Sequence, residues 1–324
     1  MDEFPSPETV SRWLRFQVWF HRLCATLILA GSIMHAAVRD RYPFPLTLFY
    51  YGLPRPILFG LAVATALSAP RFSARLLWSA VAVVFAVVCW QLDFEHRAVP
   101  AETTPASGQT VIFWNVGRDL PDDVAVVDGF LESGADLIGL VETGDLAAGW
   151  LDDWRKRHVN HQLITLPHNC LIAVRGRVRE QGQIPISQES FASWADVEIN
   201  GTVVRAVIVD LAANVWISRK EPLLKLAAAL ESWGDRPVIV MGDFNTPDDS
   251  VWFEHFPRDY REVFRTAGAG YVPTWPWPCP VLKLDQIWVS RGVQLLSARQ
   301  VGNWSSDHRV VRAKVDWTVN TKEP

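Results

Sequence analysis

Three long apolar runs crowd the N-terminal part of this chain, and they constrain its fold more than any other feature. The runs are residues 23–38, 56–69 and 76–92. A membrane-spanning helix needs about 20 mostly apolar residues, and the third run is a charge-free stretch of that size. Helices packed around a water-soluble core would be amphipathic, and nothing amphipathic separates these runs. We therefore predict a membrane region over residues 1–95 with about three transmembrane helices.

The charges beside the runs predict an orientation. Arg71 and Arg75 precede the third run, whereas Asp93 and Glu95 follow it. Because cytoplasmic segments are enriched in Lys and Arg, everything after residue 92 is expected outside the cytoplasm, in a multi-pass protein of the cell membrane. The second run leaves two forms open: Arg55 interrupts it between two prolines, so it is either a kinked span or a partly re-entrant segment.

A change in the pattern of apolar and polar residues predicts a second domain. Residues 96–109 are rich in Pro, Ala, Ser and Thr, as is typical of a linker. Residues 110–324 then alternate short apolar runs with turn signals, including a hairpin over 191–211 around Asn200-Gly201 and a helix over 222–233. Strands outnumber helices, and hairpins mix with strand–helix–strand units. This pattern predicts an α/β fold: a two-sheet sandwich with flanking helices.

The amino-acid composition argues against some classes of function and favours others. The net charge of −4 argues against a broad basic surface for nucleic acid. Sixteen tryptophans suit a protein with membrane-interface belts. The four cysteines form no metal-binding pattern, and a Cys170–Cys279 disulfide stays open because spacing alone does not show proximity.

The segment Val238–Ser250 shows how polar residues end a buried strand. Four apolar residues stop at Gly242, and Asp243 and Asn245 follow at the strand's end. Phe244, between them, should point the other way into the core. Taken alone, an ordinary strand-to-loop corner explains the segment equally well.

Several elements share this pattern, which favours a common site. The polar residues that end or interrupt apolar runs are Asn115, Glu142, Asp243, Asn245, Asp285, Asp307 and His308. Packed sheets bring strand ends together, and gathered carboxylates need a cation to offset their repulsion. Oxygen ligands without cysteine select a hard ion, Mg²⁺ or Mn²⁺. A histidine beside them can act on a phosphate oxygen or a water.

The motifs WNV, LVE, GDFN, LDQIWVS and SDH occur here in an order and spacing that resembles the endonuclease/exonuclease/phosphatase (deoxyribonuclease I-like) superfamily. The likeness covers residues 110 to 318 and leaves out the membrane region. It implies a deoxyribonuclease I-like sandwich and a divalent-metal-dependent phosphoesterase. Glu142 would be the main ligand for Mg²⁺ or Mn²⁺, with Asn115 beside it and Asp307 completing the coordination.

The resemblance also implies catalytic roles for four residues. Asp243 would orient or deprotonate the attacking water. Asn245 would hold a phosphate oxygen or position Asp243. His308 would bond the phosphoryl oxygen, and Asp285 would hold its ring as the carboxylate of a catalytic triad does.

Two departures from the family pattern bear on activity. Many members carry a histidine in the middle strand, where this chain has Asp210, and an ionised carboxylate cannot donate to a phosphate. His161 or His168 would have to substitute spatially. The nucleases also tend to place an acid where this chain has Gly117. Both departures leave room for a weakened or catalytically silent domain.

We therefore expect a membrane-anchored, metal-dependent phosphoesterase or phosphodiesterase with its active site outside the cytoplasm. Low basicity favours a lipid or small-molecule phosphoester over nucleic acid. Two alternatives stay open: a catalytically silent binding or signalling domain on the same fold, and a nuclease acting on extracytoplasmic nucleic acid. No protein partner can be inferred from the sequence, and no substrate-binding residue is assigned.

Overall fold

The computed structural model describes residues 7–97, 108–117, 120–144 and 148–317. The chain divides between Phe94 and Glu95 into two compact units. Most of the predicted linker, residues 96–109, lies outside the described residues. A short strand, β1 (Phe94–His96), covers the point of division.

The described part of the first unit is helical. Its elements are α1 (Pro7–Ile33), a π-helical turn (Met34–Val38), α2 (Leu46–Gly52), α3 (Arg55–Ser68) and α4 (Phe72–Leu92). Two helical stretches in the described residues are long and apolar enough to cross a membrane. One is Arg12–Val38, which combines most of α1 with the π-helical turn, and the other is α4 (Phe72–Leu92). Helices α2 and α3 bend by 79° at their junction and count as a third span only if taken as one. The bend lies at Pro54 and Pro56, the two prolines that flank Arg55.

The second unit carries the remaining elements. In chain order they are β2 (Gln109–Asn115), α5 (Leu120–Glu132), β3 (Leu137–Val141), α6 (Ala148–Arg157), β4 (Gln162–Leu166), β5 (Cys170–Val174), β6 (Arg177–Ile184), β7 (Phe191–Ile199), β8 (Thr202–Asp210), α7 (Lys220–Ser232), β9 (Val238–Asp243), a 3₁₀ turn (Val251–His255), β10 (Arg261–Glu262), α8 (Val263–Ala267), β11 (Ala269–Tyr271), β12 (Asp285–Val289), β13 (Gln294–Val301) and β14 (Val310–Asp316).

Two six-stranded mixed sheets form the centre of this unit. Sheet A has the strand order β10-β12-β9-β8-β7-β6, and sheet B has the order β13-β14-β2-β3-β5-β4. Their inner faces pack together into one core that includes Phe113 of β2, Ile208 of β8 and Met241 of β9. Helix α7 covers the outer face of sheet A, and α5 and α6 cover that of sheet B. The predicted two-sheet sandwich with flanking helices is confirmed.

Burial on both faces explains why the central strands are apolar throughout. Along β2, Val111 and Phe113 face the inter-sheet core, whereas Ile112 and Trp114 face the helices. Gly139 of β3 packs directly against sheet A, because a Cβ there would collide with the side chains of Ile208 in β8 and Met241 in β9. The sandwich therefore depends on a glycine at this point.

The hairpin prediction is also confirmed. Strands β7 and β8 pair in antiparallel register, with Ile199 opposite Thr202. Asn200 and Gly201 take positive φ angles of 52° and 82°, as a two-residue primed turn requires. The pair fixes the register of both strands, and through them the positions of their far ends at Phe191 and Asp210.

Candidate active site

A row of side chains crosses sheet A at the end of its central strands. Asp243 of β9 lies opposite Asp210 of β8 on one side and Asp285 of β12 on the other. Phe191 of β7 continues the row beyond Asp210. Directly opposed residues share one face of a sheet, and this is the face turned toward sheet B. The sheet register alone therefore brings three carboxylates to one edge of the inter-sheet space.

Asp285 and His308 form a buried pair. The Nδ1 of His308 lies 2.9 Å from Oδ2 of Asp285 and 3.1 Å from Oδ1. This contact turns Nε2 toward Asp243 and Asp307, whose nearest oxygens are each 3.9 Å away. Burial alone would lower the pKa of His308, but the charge and hydrogen bond of Asp285 outweigh it and raise the pKa. The structure thus places the carboxylate of Asp285 against the ring of His308, while their catalytic roles stay a prediction.

Asn115 connects the two sheets. Its Nδ2 donates to Oδ2 of Asp243 at 2.9 Å and to Oε1 of Glu142 at 3.0 Å, and its Oδ1 accepts from the backbone N–H of Gly117 at 2.9 Å. Asn115 ends β2, and Glu142 follows β3, its parallel neighbour in sheet B. The amide thus places a donor between two carboxylates and reduces their repulsion.

The segment that carries Asp307 and His308 is anchored to β2. The hydroxyl of Ser306 donates to the carbonyl of Asn115 at 2.8 Å and accepts from the N–H of His308 at 3.0 Å. The indole N–H of Trp275 donates to Oδ2 of Asp307 at 2.7 Å. These contacts hold Asp307, whose side chain is 55% exposed, at the open edge of the site.

The carboxylate of Asp243 is buried, like that of Asp285. Burial, with the charge of Asp285, raises its pKa above the usual range, while the charge of His308 opposes the shift. The backbone N–H of Asn245 donates to Oδ1 of Asp243 at 2.8 Å, and the Nδ2 of Asn245 donates to the carbonyl of Leu211 at 2.8 Å. Phe244, between them, packs against Phe253 on the outer face, as the alternation of the strand predicts.

The donors at this edge fit a divalent cation. Ligand atoms of Asp243, Asp285 and His308 lie within 4.8 Å of one another. Glu142 joins the group through Asn115, and Asp307 through the imidazole of His308. Hard oxygen donors predominate, which suits Mg²⁺ or Mn²⁺. The seven predicted residues therefore gather at one edge, although which of them hold an ion stays a prediction.

A cavity of about 490 Å³ opens beside the site. Its wall includes Asn245, whose backbone N–H donates to Asp243, and Glu142, which accepts from Asn115, so the cavity adjoins the site directly. Asp210 and His168 also line it. His161 lies elsewhere, with its Nε2 at 2.9 Å from the carbonyl of Ala135. Of the two histidines considered as substitutes for the missing one, the structure brings only His168 to the site.

Several residues at the site carry no sequence signal of their own. Ser306 and Trp275 hold the segment of Asp307, and both could have been suspected from their neighbours in SSDH and TWPWP. Glu189 and Phe191 line the cavity but stand in a loop and at a strand start with no motif around them. Cys170 and Cys279 are both free, the first buried and the second exposed.

Solved structures share this fold. An endonuclease/exonuclease/phosphatase from Bacteroides vulgatus aligns over 65% of this chain and 99% of its own, with 18% identity and a TM-score of 0.54. D. rerio TDP2 in complex with a single-strand DNA product aligns over 65% and 99%, with 17% identity and a TM-score of 0.53. The human Nocturnin catalytic domain with bound sulfate aligns over 64% and 94%, with 17% identity and a TM-score of 0.51. No curated protein matches the chain in sequence.

The family comparison agrees with the motifs and with the fold. Residues 112–308, more than half of the chain, match the Endonuclease/Exonuclease/phosphatase family. The matched stretch runs from β2 to His308 and contains the whole candidate site. This chain belongs to the Endonuclease/Exonuclease/phosphatase family.

Proposed function

We propose that the protein is a membrane-anchored phosphodiesterase or phosphoesterase that depends on a divalent cation. The observation that carries the proposal is the convergence of Asn115, Glu142, Asp243 and the Asp285–His308 pair at one edge of the sandwich. These residues come from both sheets, and nothing in the packing of a core requires them to meet. Neighbours with the same fold include a protein named as a mannosyl-6-phosphatase and D. rerio TDP2 in complex with a single-strand DNA product.

The residues suit hydrolysis of a phosphoester. A water oxygen bonds to phosphorus and gives its proton to Asp243, whose raised pKa suits a base that works near neutral pH. The ester P–O bond then breaks, the departing oxygen takes up a proton from solvent, and Asp243 releases its own to solvent. Nε2 of His308, fixed by Asp285, donates to a phosphoryl oxygen as negative charge develops there.

Mg²⁺ or Mn²⁺ would be held by the carboxylates of Glu142 and Asp307 and by the side-chain oxygen Oδ1 of Asn115. When bound, such an ion polarises the phosphoryl group and offsets its charge. The assignment follows from donor chemistry: His308 uses Nδ1 for Asp285, whereas the carboxylates of Glu142 and Asp307 lie nearer solvent. Chelation with EDTA should abolish activity, and added Mg²⁺ or Mn²⁺ should restore it.

Hydrolysis of bis-p-nitrophenyl phosphate by the full chain in detergent tests the proposal. The wild type should release p-nitrophenolate with Mg²⁺ or Mn²⁺. Asp243→Ala and His308→Ala should each lower kcat by roughly 10²–10⁴-fold, the size expected for an acid–base or charge-stabilising group. Circular dichroism should show that both variants are folded.

The alternatives give different results in the same assay. A wild type that is inert with every divalent ion would contradict the enzyme and favour a silent binding or signalling domain, for which Asp210 is the motivating observation. A nuclease would cut plasmid DNA faster than it cleaves small diesters. We expect the opposite order, because a strand of nucleic acid needs several Lys or Arg contacts and the net charge is −4.

The domain limits and the cellular location also belong to this proposal. We infer a membrane region over residues 1–95, a linker over 96–109 and a catalytic domain over 110–324. The apolar helices Arg12–Val38 and Phe72–Leu92 support membrane association. The arginines before the third run favour an active site outside the cytoplasm, where lipid phosphodiesters and small phosphoesters are the nearest substrates.

A further inference from the structure

The two members of the Asp285–His308 pair come from different sheets. Asp285 begins β12 in sheet A, whereas His308 lies just before β14 in sheet B. Because these strands belong to different sheets, the hydrogen bonds of a ladder do not set the distance between the carboxylate and the imidazole. The loop between β11 and β12, residues 272–284, makes contacts on both sides of the pair and can set it.

On the side of β12, the contact is the hydroxyl of Thr274. Its Oγ1 accepts from the backbone N–H of Leu284 at 3.0 Å and from that of Asp285 at 3.1 Å. Thr274 and Asp285 are both completely buried, so water does not compete for these two N–H groups. One side-chain oxygen therefore fixes the backbone at the residue whose carboxylate holds the ring of His308.

On the side of β14, the contact is the backbone of the same threonine. The carbonyl of Thr274 accepts from the N–H of Arg309 at 3.0 Å, and Arg309 directly follows His308 in the chain. The guanidinium of Arg309 donates to the carbonyls of Tyr271 and Pro273, each at 3.0 Å. Backbone and side chain thus tie the start of the loop to the residue beside His308.

Further hydrogen bonds hold the loop itself in place. Trp275 and Leu282 exchange backbone hydrogen bonds, each of 2.9 Å, which close the loop into a small hairpin. The N–H of Trp277 donates to the carbonyl of Asp307 at 2.6 Å, next to the contact between Trp275 and the carboxylate of Asp307. Thr274 therefore cannot shift without moving the segment that carries His308.

We propose that Thr274 is a positioning residue, whose hydroxyl and carbonyl together set the distance between the Asp285 carboxylate and the His308 imidazole. The proposal rests on the phosphoesterase activity proposed above and assigns Thr274 no contact with the substrate. The hydroxyl holds Asp285, and the carbonyl holds the residue after His308. A correctly placed carboxylate keeps Nε2 of His308 aimed at the reacting phosphate.

Replacement of the hydroxyl by a methyl group tests the proposal. Thr274→Val keeps the shape of the side chain but leaves the N–H groups of Leu284 and Asp285 without this acceptor. The start of β12 should shift to recover hydrogen bonds, and the carboxylate of Asp285 should move with it.

The expected result is a loss in kcat. For the full chain in detergent, with bis-p-nitrophenyl phosphate and Mg²⁺, kcat of Thr274→Val should fall by roughly 10–100-fold, because misplacing a catalytic group by about 1 Å costs that much. KM should stay close to the wild-type value, since the lost interaction acts in the transition state.

Conservative replacements show whether the oxygen is responsible. Thr274→Ser keeps the hydroxyl and should retain most of the wild-type kcat. Thr274→Cys offers a sulfur, which accepts hydrogen bonds weakly, and should give a kcat between those of the Ser and Val variants. The Cys variant also keeps the comparison with Ser available if Thr274→Val does not fold.

Ser290→Ala is the matched control for a general loss of stability. The hydroxyl of Ser290 is also buried, and it accepts from the backbone N–H of Val238 at 2.9 Å. Ser290 follows the opposite end of β12 from Asp285. Both variants should lose stability in urea unfolding, but only Thr274→Val should lose kcat.

A double-mutant cycle tests whether the effect passes through Asp285. Asp285→Ala removes the carboxylate that holds the ring of His308. If Thr274 acts through this carboxylate, adding Thr274→Val to Asp285→Ala should lower kcat little further. Independent effects would instead multiply.

The positioning role and the activity on which it rests fail separately. Full kcat in Thr274→Val, or an equal loss in Thr274→Ser, would overturn the positioning role and leave the phosphoesterase standing. An equal loss of kcat in Ser290→Ala, or effects that multiply in the double mutant, would overturn it as well. A wild type that is inert with every divalent ion would contradict the phosphoesterase and the positioning role together.

Discussion

The amide of Asn115 touches carboxylates from both sheets, and a single atom exchange tests its importance. Asn115→Asp keeps the shape but puts a third carboxylate between Glu142 and Asp243. Repulsion should move both side chains, and kcat/KM for bis-p-nitrophenyl phosphate should fall by roughly 10–100-fold. Asn200→Asp is the control, since aspartate tolerates the left-handed turn of the β7–β8 hairpin. Equal activity of the two variants would contradict this role of Asn115.

At the same scale, the sequence predicted which residues would converge, but it did not predict the cavity beside them. Asp243, Asp285 and His308 follow short apolar runs in recognisable motifs, so their convergence was expected from the sequence. Glu189 and Phe191 were not expected, because their position depends on the register of β7 against β8 and on which loops meet across two sheets. Such long-range geometry leaves no local pattern in the chain.

Buried charges join three elements next to the site. Lys283, just before β12, contacts the carboxylates of Glu262 and Asp248, and Arg265 of α8 donates to Asp248. Glu262 also accepts from the backbone N–H of Arg265 at 2.7 Å and so caps α8. The cluster fixes the chain shortly before Asp285, at Lys283, and shortly after Asp243, at Asp248.

Removal of the Lys283 ammonium group, which both carboxylates share, should destabilise these elements together. Lys283→Met leaves two buried carboxylates without their lysine, so the free energy of unfolding should fall by about 3–5 kcal/mol. Lys225→Met removes an exposed lysine paired with Glu221 and should cost only about 0.3–0.5 kcal/mol. Urea unfolding of the full chain in detergent, followed by circular dichroism, measures both. Similar losses in the two variants would show that the cluster is unimportant.

The same cluster predicts a pH dependence. Burial alone would raise the pKa of Asp248, but Lys283 and Arg265 lower it below its usual range. A depressed folded-state pKa stabilises the protein above the unfolded-state value of about 3.9, and this stability is lost as the pH falls through the folded-state pKa. Below pH 5, wild type should therefore lose stability more steeply than Lys283→Met.

Among the elements, the apolar ones were predictable and the polar ones were not. Strands β2, β3 and β9 are buried on both faces and appear as short apolar runs. Strand β6 lies at an edge of sheet A and is mostly exposed, so its sequence RVREQGQI lacks any such run. Edge strands can be polar because only one side of their backbone pairs.

At the scale of the whole molecule, the orientation of the chain is the open test. Alkaline phosphatase fused after Trp317 should be active, and green fluorescent protein at the same point should stay dark, since each reporter works on only one side of the cytoplasmic membrane. Fusions after Pro70 should give the reverse result, because the turn between α3 and α4 is expected in the cytoplasm. Fluorescence from the Trp317 fusion would refute the proposed orientation. Resistance of the wild type to carbonate extraction would show integral insertion.

The side chains in the row from Phe191 through Asp210 and Asp243 to Asp285 have a fixed spacing. Neighbouring residues of the row are one strand spacing apart, about 4.8 Å. Backbone hydrogen bonds fix this distance, and side-chain substitution hardly alters it. The side chain of Asp210 therefore lies about one strand spacing from Asp243, and that of Phe191 about two. A group attached to a phosphorus at Asp243 would meet these side chains at fixed distances, so its length is what this sheet would measure.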